Sequence, residues 1–226
     1  MTSTTLRLIL GDQLNAKHSW FKEKNDDIIY LIAELPQETK YVKHHVQKLC
    51  AFFSAMQNFA HALQKAGHRV HHLTLDDTQH FKTLESLIQN LVKKHSITQF
   101  QYQRPDEYRL LAQLHDIDLG GIRTEQVDTE HFILPFDDID QHFKKNKSTR
   151  MEGFYRKMRS RFDVLMENKE PLGGQWNFDA NNRKSFPAAG PGAIPIPPTF
   201  HRDDIDLQVI ADIESVLPDF TKNRIP

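Results

Sequence analysis

The chain has 226 residues, of which 38% are hydrophobic and 26% charged, enough apolar content for one large domain or one domain plus part of another. That composition excludes an intrinsically disordered chain, and no apolar run approaches the roughly 20 residues that cross a bilayer. With 29 Lys and Arg against 30 Asp and Glu, a formal net charge of -1, the molecule as a whole is no polyanion binder.

The N-terminus places its apolar run directly in a strand pattern, without a basic leader or cleavage site, so a cytoplasmic location is expected. "TLRLIL" (Thr5–Leu10) and "IIYLIAE" (Ile28–Glu34) are short and apolar, as strands covered on both faces are. Val42, Val46, Leu49, Phe53, Met56, Ala60 and Leu63 recur in steps of four and three, the stripe of a helix. Gly67 follows where a left-handed cap belongs. "RVHHLTL" (Arg69–Leu75) predicts the next strand, and "LESLIQNLVKKH" a helix with Leu84, Leu87, Ile88, Leu91 and Val92 inward. "ITQFQYQ" (Ile97–Gln103) is a fourth strand, "DEYRLLAQLHDI" a helix behind an acidic first turn, and "RTEQVD" (Arg123–Asp128) a fifth strand. This alternation predicts an α/β fold, a doubly wound, Rossmann-like parallel sheet with helices on both faces.

Such sheets take ligands beyond the carboxyl ends of their strands. "GDQL" follows the first strand, "LPQETKYVKHH" the second and "RPDEY" the fourth, so three loops are expected at one edge. Asp12, Glu34 and Glu38 stand out there, because an ionised carboxylate accepts bonds from ring N–H groups or ligand hydroxyls. Asp12 can equally cap a turn. No glycine-rich phosphate loop and no nucleophile motif is present. The single cysteine, Cys50, excludes an internal disulfide or an all-cysteine cluster within these residues, and its place on an apolar helix face predicts packing. His44 and His45, like His71 and His72, are adjacent and diverge, so no metal site is expected.

From about residue 136 the character changes. Between Lys144 and Arg161 lie Lys144, Lys145, Lys147, Arg150, Arg156, Lys157, Arg159 and Arg161 against only Glu152. A basic stretch of this kind meets phosphates even on a neutral protein, or forms a solvated helix face. A basic helix is expected over Met151–Met166. The proline- and glycine-rich "PLGGQWNFDANNRKSFPAAGPGAIPIPP" after it cannot continue a helix or a central strand and reads as a connector. Trp176 and Phe178 on that loop are costly to leave in water, and docking is expected on the first domain, on a second domain or on a nucleic acid. "DLQVIADIESVLPDF" is one amphipathic helix with little to pack against, as though opening a further domain.

"LILGDQL" (Leu8–Leu14), "YVKHH" (Tyr41–His45), "FFSAMQNFA" (Phe52–Ala60), "MEGFYRKMR" (Met151–Arg159) and "GGQWNFDANNR" (Gly173–Arg183) together resemble the deoxyribodipyrimidine photolyase-related family, the iron–sulfur bacterial cryptochrome and (6-4) photolyase group. The resemblance spans the chain. It implies an antenna-binding α/β domain over residues 1–135. Residues 136–226 are then a connector with a basic helix and the start of a helical domain. In a longer parent that helical domain carries FAD, a [4Fe-4S] cluster and the lesion pocket. The antenna implied is 6,7-dimethyl-8-ribityllumazine. Its expected site has Gly11 as a floor the ring approaches closely, Asp12 and Glu38 as acceptors, Ala33 and Tyr41 as sides, Phe52 as a wall or partial filler, and Glu107 within reach of the ribityl chain. DNA contacts in the full-length context are expected at Lys144, Lys145, Lys147, Arg150, Arg183 and Lys184. Without the helical domain no catalysis is expected. Two rival expectations are an autonomous nucleotide- or flavin-type binding module and a DNA-binding accessory protein; neither they nor the antenna module call for a membrane.

Overall fold

A computed structural model describes residues 4–218. The chain forms two compact units, one from Met1–His131 with Arg202–Pro226 and one from Phe132–His201.

In the first unit, β1 (Thr5–Ile9), β2 (Ile28–Ala33), β3 (Val70–Leu73), β4 (Gln99–Gln103) and β5 (Arg123–Val127) form one sheet in the order β3-β2-β1-β4-β5. Every pairing is parallel. Strand alternation sends Leu6, Leu8, Ile29, Leu31, Phe100 and Tyr102 to one face, where they meet α4 (Leu84–Lys94) and α5 (Tyr108–His115). Ile9, Tyr30 and Ile32 face the other way and pack under α2 (Val46–Lys65), with Trp20 beside them. Helices on both faces of a five-stranded parallel sheet make the fold doubly wound and Rossmann-like, as the periodicities predict.

Short elements were not visible in the apolar pattern. α1 (Pro36–Lys40) and α3 (Leu75–Thr78) are single turns at the ends of β2 and β3. The helix expected from Val42 begins at Val46, because the His45 ring accepts the Gln47 N–H and caps it there.

The last helix departs from expectation. It belongs to the first unit and finds its packing partner there. α9 (Asp204–Val216) is fixed at its start by an Asp203 capping box, and its Val209 and Ile213 join the cluster of Leu49, Phe53 and Met56 on α2. The Ser54 hydroxyl donates to Asp206 at 2.7 Å. The expected helix ran on to Phe220, whose position lies outside the described residues.

In the second unit, α6 (Ile139–His142) precedes α7 (Met151–Phe162), the hairpin of β6 (Met166–Glu167) and β7 (Glu170–Pro171), and α8 (Asp179–Asn182). α7 stops four residues short of its expected end because Asp163 adopts a left-handed conformation, φ 54°. Arg159 makes the turn that follows. Its side chain is buried and donates to the carbonyls of Val164 at 3.0 Å, Trp176 at 3.1 Å and Leu165. Trp176 is thereby docked within its own unit, with Arg156 and Arg159 at 5.3 and 5.4 Å from its ring. The loop finds its partner on the basic helix itself, a possibility the sequence did not single out.

Glu34 ties β2 to α3. It is 2% exposed, accepts the Leu75 N–H at 3.1 Å through its carboxylate and the Thr78 hydroxyl through its peptide oxygen, and lies 3.4 Å from His72 Nε2. Burial pushes its carboxyl pKa up, against the pull of His72 and the Leu75 N–H, with Asp212 of α9 adding repulsion. Folding therefore favours the protonated form. That contribution is complete below the unfolded carboxylate range, about pH 4.3, and is lost as pH rises through the raised folded value. Glu34→Gln keeps an acceptor for Leu75 and removes the charge. Thermal melts are expected to coincide with wild type at about pH 4 and to lie higher at neutral pH, and coincidence at both would show that His72 compensates the charge in full.

Candidate functional site

The winding of the sheet reverses between β1 and β4, so the crevice predicted for ligands opens past Ile9 and Gln103. The chain leaves β1 through Leu10-Gly11-Asp12-Gln13, and Gln13 holds that turn. It is 2% exposed, its carbonyl accepts the Leu10 N–H at 3.1 Å, and its amide donates to the carbonyls of Gln103 and Arg104 at 3.2 and 3.3 Å. One side chain thus satisfies backbone groups on both sides of the reversal, where the ladder has ended.

A cavity of about 230 Å³ opens beside this turn. Leu8, Leu35, Leu49, Phe53, Met56 and Leu84 give it apolar walls. All seven residues singled out from the sequence line it: Gly11, Asp12, Ala33, Glu38, Tyr41, Phe52 and Glu107. They arrive from the ends of β1 and β2, from α1, from α2 and from the N-terminus of α5, so the topology alone collects them.

Four of them have close contacts of their own within the protein. Gly11 has no Cβ because α2 leaves no room for one: a Cβ there would stand 2.9 Å from Met56 Sδ and 3.0 Å from Phe52 Cδ1. Phe52 therefore lies on the glycine and forms the floor itself. Glu107 spends both carboxylate oxygens on its own helix, accepting the N–H groups of Arg109 at 3.1 Å and Leu110 at 2.9 Å. Glu38 accepts Arg109 Nη2 at 2.7 Å, Arg109 Nη1 at 3.3 Å and Gln37 Nε2 at 2.8 Å. Asp12 remains, with its side chain at the opening. Burial raises its carboxyl pKa, and nearby Asp106 and Glu38 add to the rise, against its own backbone N–H and His131.

Arg109 was missed. It lines the cavity, bridges Glu38 to Glu107 (3.5 Å), and stacks 4.5 Å from the Tyr41 ring centroid. Its Nε is buried and has no hydrogen-bond partner in the protein, a state that costs about 1–3 kcal/mol when nothing fills it. Nothing local marks this arginine, since its partner Glu38 lies 71 residues away.

The histidine pairs diverge as their spacing predicts. His44 bonds the Glu38 carbonyl at 3.3 Å while His45 caps α2, and His72 faces Glu34 while His71 meets the His95 ring. No group of three His, Cys, Asp or Glu side chains that could hold a metal ion occurs among the described residues. No helix among them is long and apolar enough to cross a membrane. The Cys50 thiol is half-buried against the α2 cluster, and burial raises its pKa.

The basic run of the second unit divides. Arg159 is buried, Arg156 pairs with Glu152 at 2.5 Å and Arg161 with Asp138 at 2.8 Å. Lys144, Lys145, Lys147, Arg150, Arg183 and Lys184 are exposed and enter none of the ion pairs formed among the described residues.

Comparison with known proteins bears on both units. A (6-4) photolyase from Agrobacterium fabrum is 32% identical over 218 residues, which cover 95% of this chain and 42% of that protein. The chain thus spans less than half the length of this relative. An uncharacterized protein of Acanthamoeba polyphaga mimivirus is 35% identical over 60 residues, 25% of this chain and 31% of that one. The family model described as deoxyribodipyrimidine photo-lyase-related protein matches residues 7–221. A match that runs from β1 through both units and on past α9 leaves the chain in one place: it belongs to the deoxyribodipyrimidine photo-lyase-related family.

Proposed function

We propose that these residues are the antenna-binding N-terminal part of a (6-4) photolyase- or cryptochrome-like, light-dependent DNA-repair flavoprotein of the cytoplasm, and that they are not catalytic by themselves. The observation that supports this is the collection of Gly11, Asp12, Ala33, Glu38, Tyr41, Phe52 and Glu107 around one cavity at the carboxyl edge of the sheet.

The donor set and walls fit 6,7-dimethyl-8-ribityllumazine. Its methyl-bearing fused ring suits the apolar walls, and the Asp12 carboxylate is the acceptor not taken up by an ion pair or a helix cap. The cavity, about 230 Å³, is smaller than the roughly 300–1,000 Å³ of whole-ligand pockets. It holds the ring and leaves the ribityl chain at the mouth, where Tyr41 is 55% exposed. The bound chromophore would supply absorption of near-ultraviolet and violet light. The residues of this chain hold and orient it and keep water from its ring. FAD and a [4Fe-4S] cluster belong to the helical domain of a longer parent. A lumazine-loaded protein is yellow, which distinguishes it from an autonomous nucleotide-binding module.

Asp12→Ala is expected to weaken lumazine binding by about 1.5–3 kcal/mol, the range for a hydrogen bond to a charged group. Wild-type affinity should also fall with acidification, beginning above the ordinary aspartate range of about pH 3.9, because the carboxyl pKa is raised. Fluorescence titration measures both, and unchanged affinity in the variant would remove Asp12 from the site.

Photoreversal needs a reduced flavin beside the lesion as electron donor. Blue-light illumination of this chain with a lesion-bearing oligonucleotide is therefore expected to leave the lesion intact, as product analysis would show.

DNA is the second partner of the full-length protein. The exposed charges at Lys144, Lys145, Lys147 and Arg150 suit phosphates, which set affinity without reading sequence, and Arg183 and Lys184 add to them. In a salt series with the full-length parent and lesion DNA, neutralising Lys144, Lys145 and Lys147 is expected to flatten the dependence of log K on log salt by up to about three contacts. An unchanged slope would assign the patch to domain docking.

A further inference from the structure

We propose that Arg109 is the specificity-determining donor of the cavity, reading a ring carbonyl on the edge of a neutral planar heterocycle. The choice of probe rests on the antenna reading above.

The guanidinium is held from three sides. Glu38 of α1 takes Nη2 at 2.7 Å and Nη1 at 3.3 Å, Glu107 at the start of α5 lies 3.5 Å from Nη2, and the Tyr41 ring stacks at 4.5 Å. A planar fork clamped in this way keeps one orientation, which a flexible ammonium would not. The clamp uses the two terminal nitrogens and leaves Nε, which is buried and has no partner in the protein. Buried donors are rarely left unpaired, and the residue that carries this one lines a cavity with apolar walls. An acceptor carried in by the ligand completes it.

The charges around the arginine define the acceptor. Glu38 and Glu107 already outweigh Arg109, and Asp12, with Asp106 near it, adds negative charge close to Glu38, against the single further cation Lys48 in the lining. A phosphate or carboxylate would meet a surplus of like charge, whereas a neutral carbonyl meets only the N–H dipole. Arg109 thus selects against the phosphates of a nucleotide while favouring a dione ring.

The test uses the full chain, wild type and Arg109→Lys, titrated with 6,7-dimethyl-8-ribityllumazine and with 6,7,8-trimethyllumazine, which has the same ring and no polyol. Lysine keeps a positive charge beside Glu38 and lacks the Nε donor. The expected result is an affinity loss of about 10- to 100-fold, equal for both compounds, with the melting temperature checking that the fold persists. A loss confined to the ribityl compound would place Arg109 on the chain and overturn the proposal, as would unchanged affinity for both. A second measurement needs no variant: inorganic phosphate is expected not to displace the bound lumazine from wild type, and displacement at millimolar phosphate would make Arg109 part of an anion site and overturn the proposal. Failure of wild type to bind either lumazine would overturn the antenna reading and this inference with it.

Discussion

The site depends on how the backbone is satisfied where the sheet changes direction. β1 sits in the middle, with β2 and β3 on one side and β4 and β5 on the other, so its carboxyl end faces a gap that no connection crosses. Backbone groups leaving the ladder there need partners that the sheet cannot supply. Gln13 provides them, its amide bonding the carbonyls of Gln103 and Arg104 while its oxygen holds the Leu10 N–H. With the β1 turn fixed to the end of β4, Gly11 and Asp12 are held at the opening and Phe52 can close onto the glycine.

Around this brace the carboxylates separate by task. Glu107 caps α5, Glu38 clamps Arg109 and Glu34 secures α3. Each is consumed by the fold for the same reason: a buried or half-buried carboxylate is tolerated when N–H donors converge on it. Asp12 differs because the donor it retains is its own backbone N–H and its neighbours include two acids. A ligand donor placed at Asp12 therefore relieves repulsion as well as forming a bond. The chemistry of the cavity comes from this residual imbalance, set within apolar walls.

The fold was legible because the five strands and the main helices announce themselves by period, and parallel winding follows from their alternation. The residues lining the cavity were legible to the extent that strand ends gather at one edge. What each one does was less so. Arg109, Gln13 and the ring of Phe52 act through partners far away in sequence, Glu38, Gln103 and Gly11, and no local pattern carries that information. α9 failed for the same reason. Its apolar face is plain in sequence, but that the face packs on α2 joins residues far apart in the chain, as the Ser54–Asp206 bond does over 152 positions.

Charge was the least legible feature of all, and the second unit shows why. Counted along the chain, the residues from Lys144 to Arg161 are one basic run. Once folded, the arginines with a partner in reach are removed from it: Arg159 because two carbonyls of the turn after α7 and that of Trp176 converge on its fork-shaped donor, Arg156 and Arg161 because Glu152 and Asp138 lie close. Lys144, Lys145 and Lys147 have no such geometry to satisfy and remain at the surface. Arg156, Arg159 and Arg161 build the unit and fix Trp176 in it, and the lysines stay exposed. A mutation that treats the run as uniform would disturb the arginine framework, whereas changing Lys144, Lys145 and Lys147 alone leaves that framework in place.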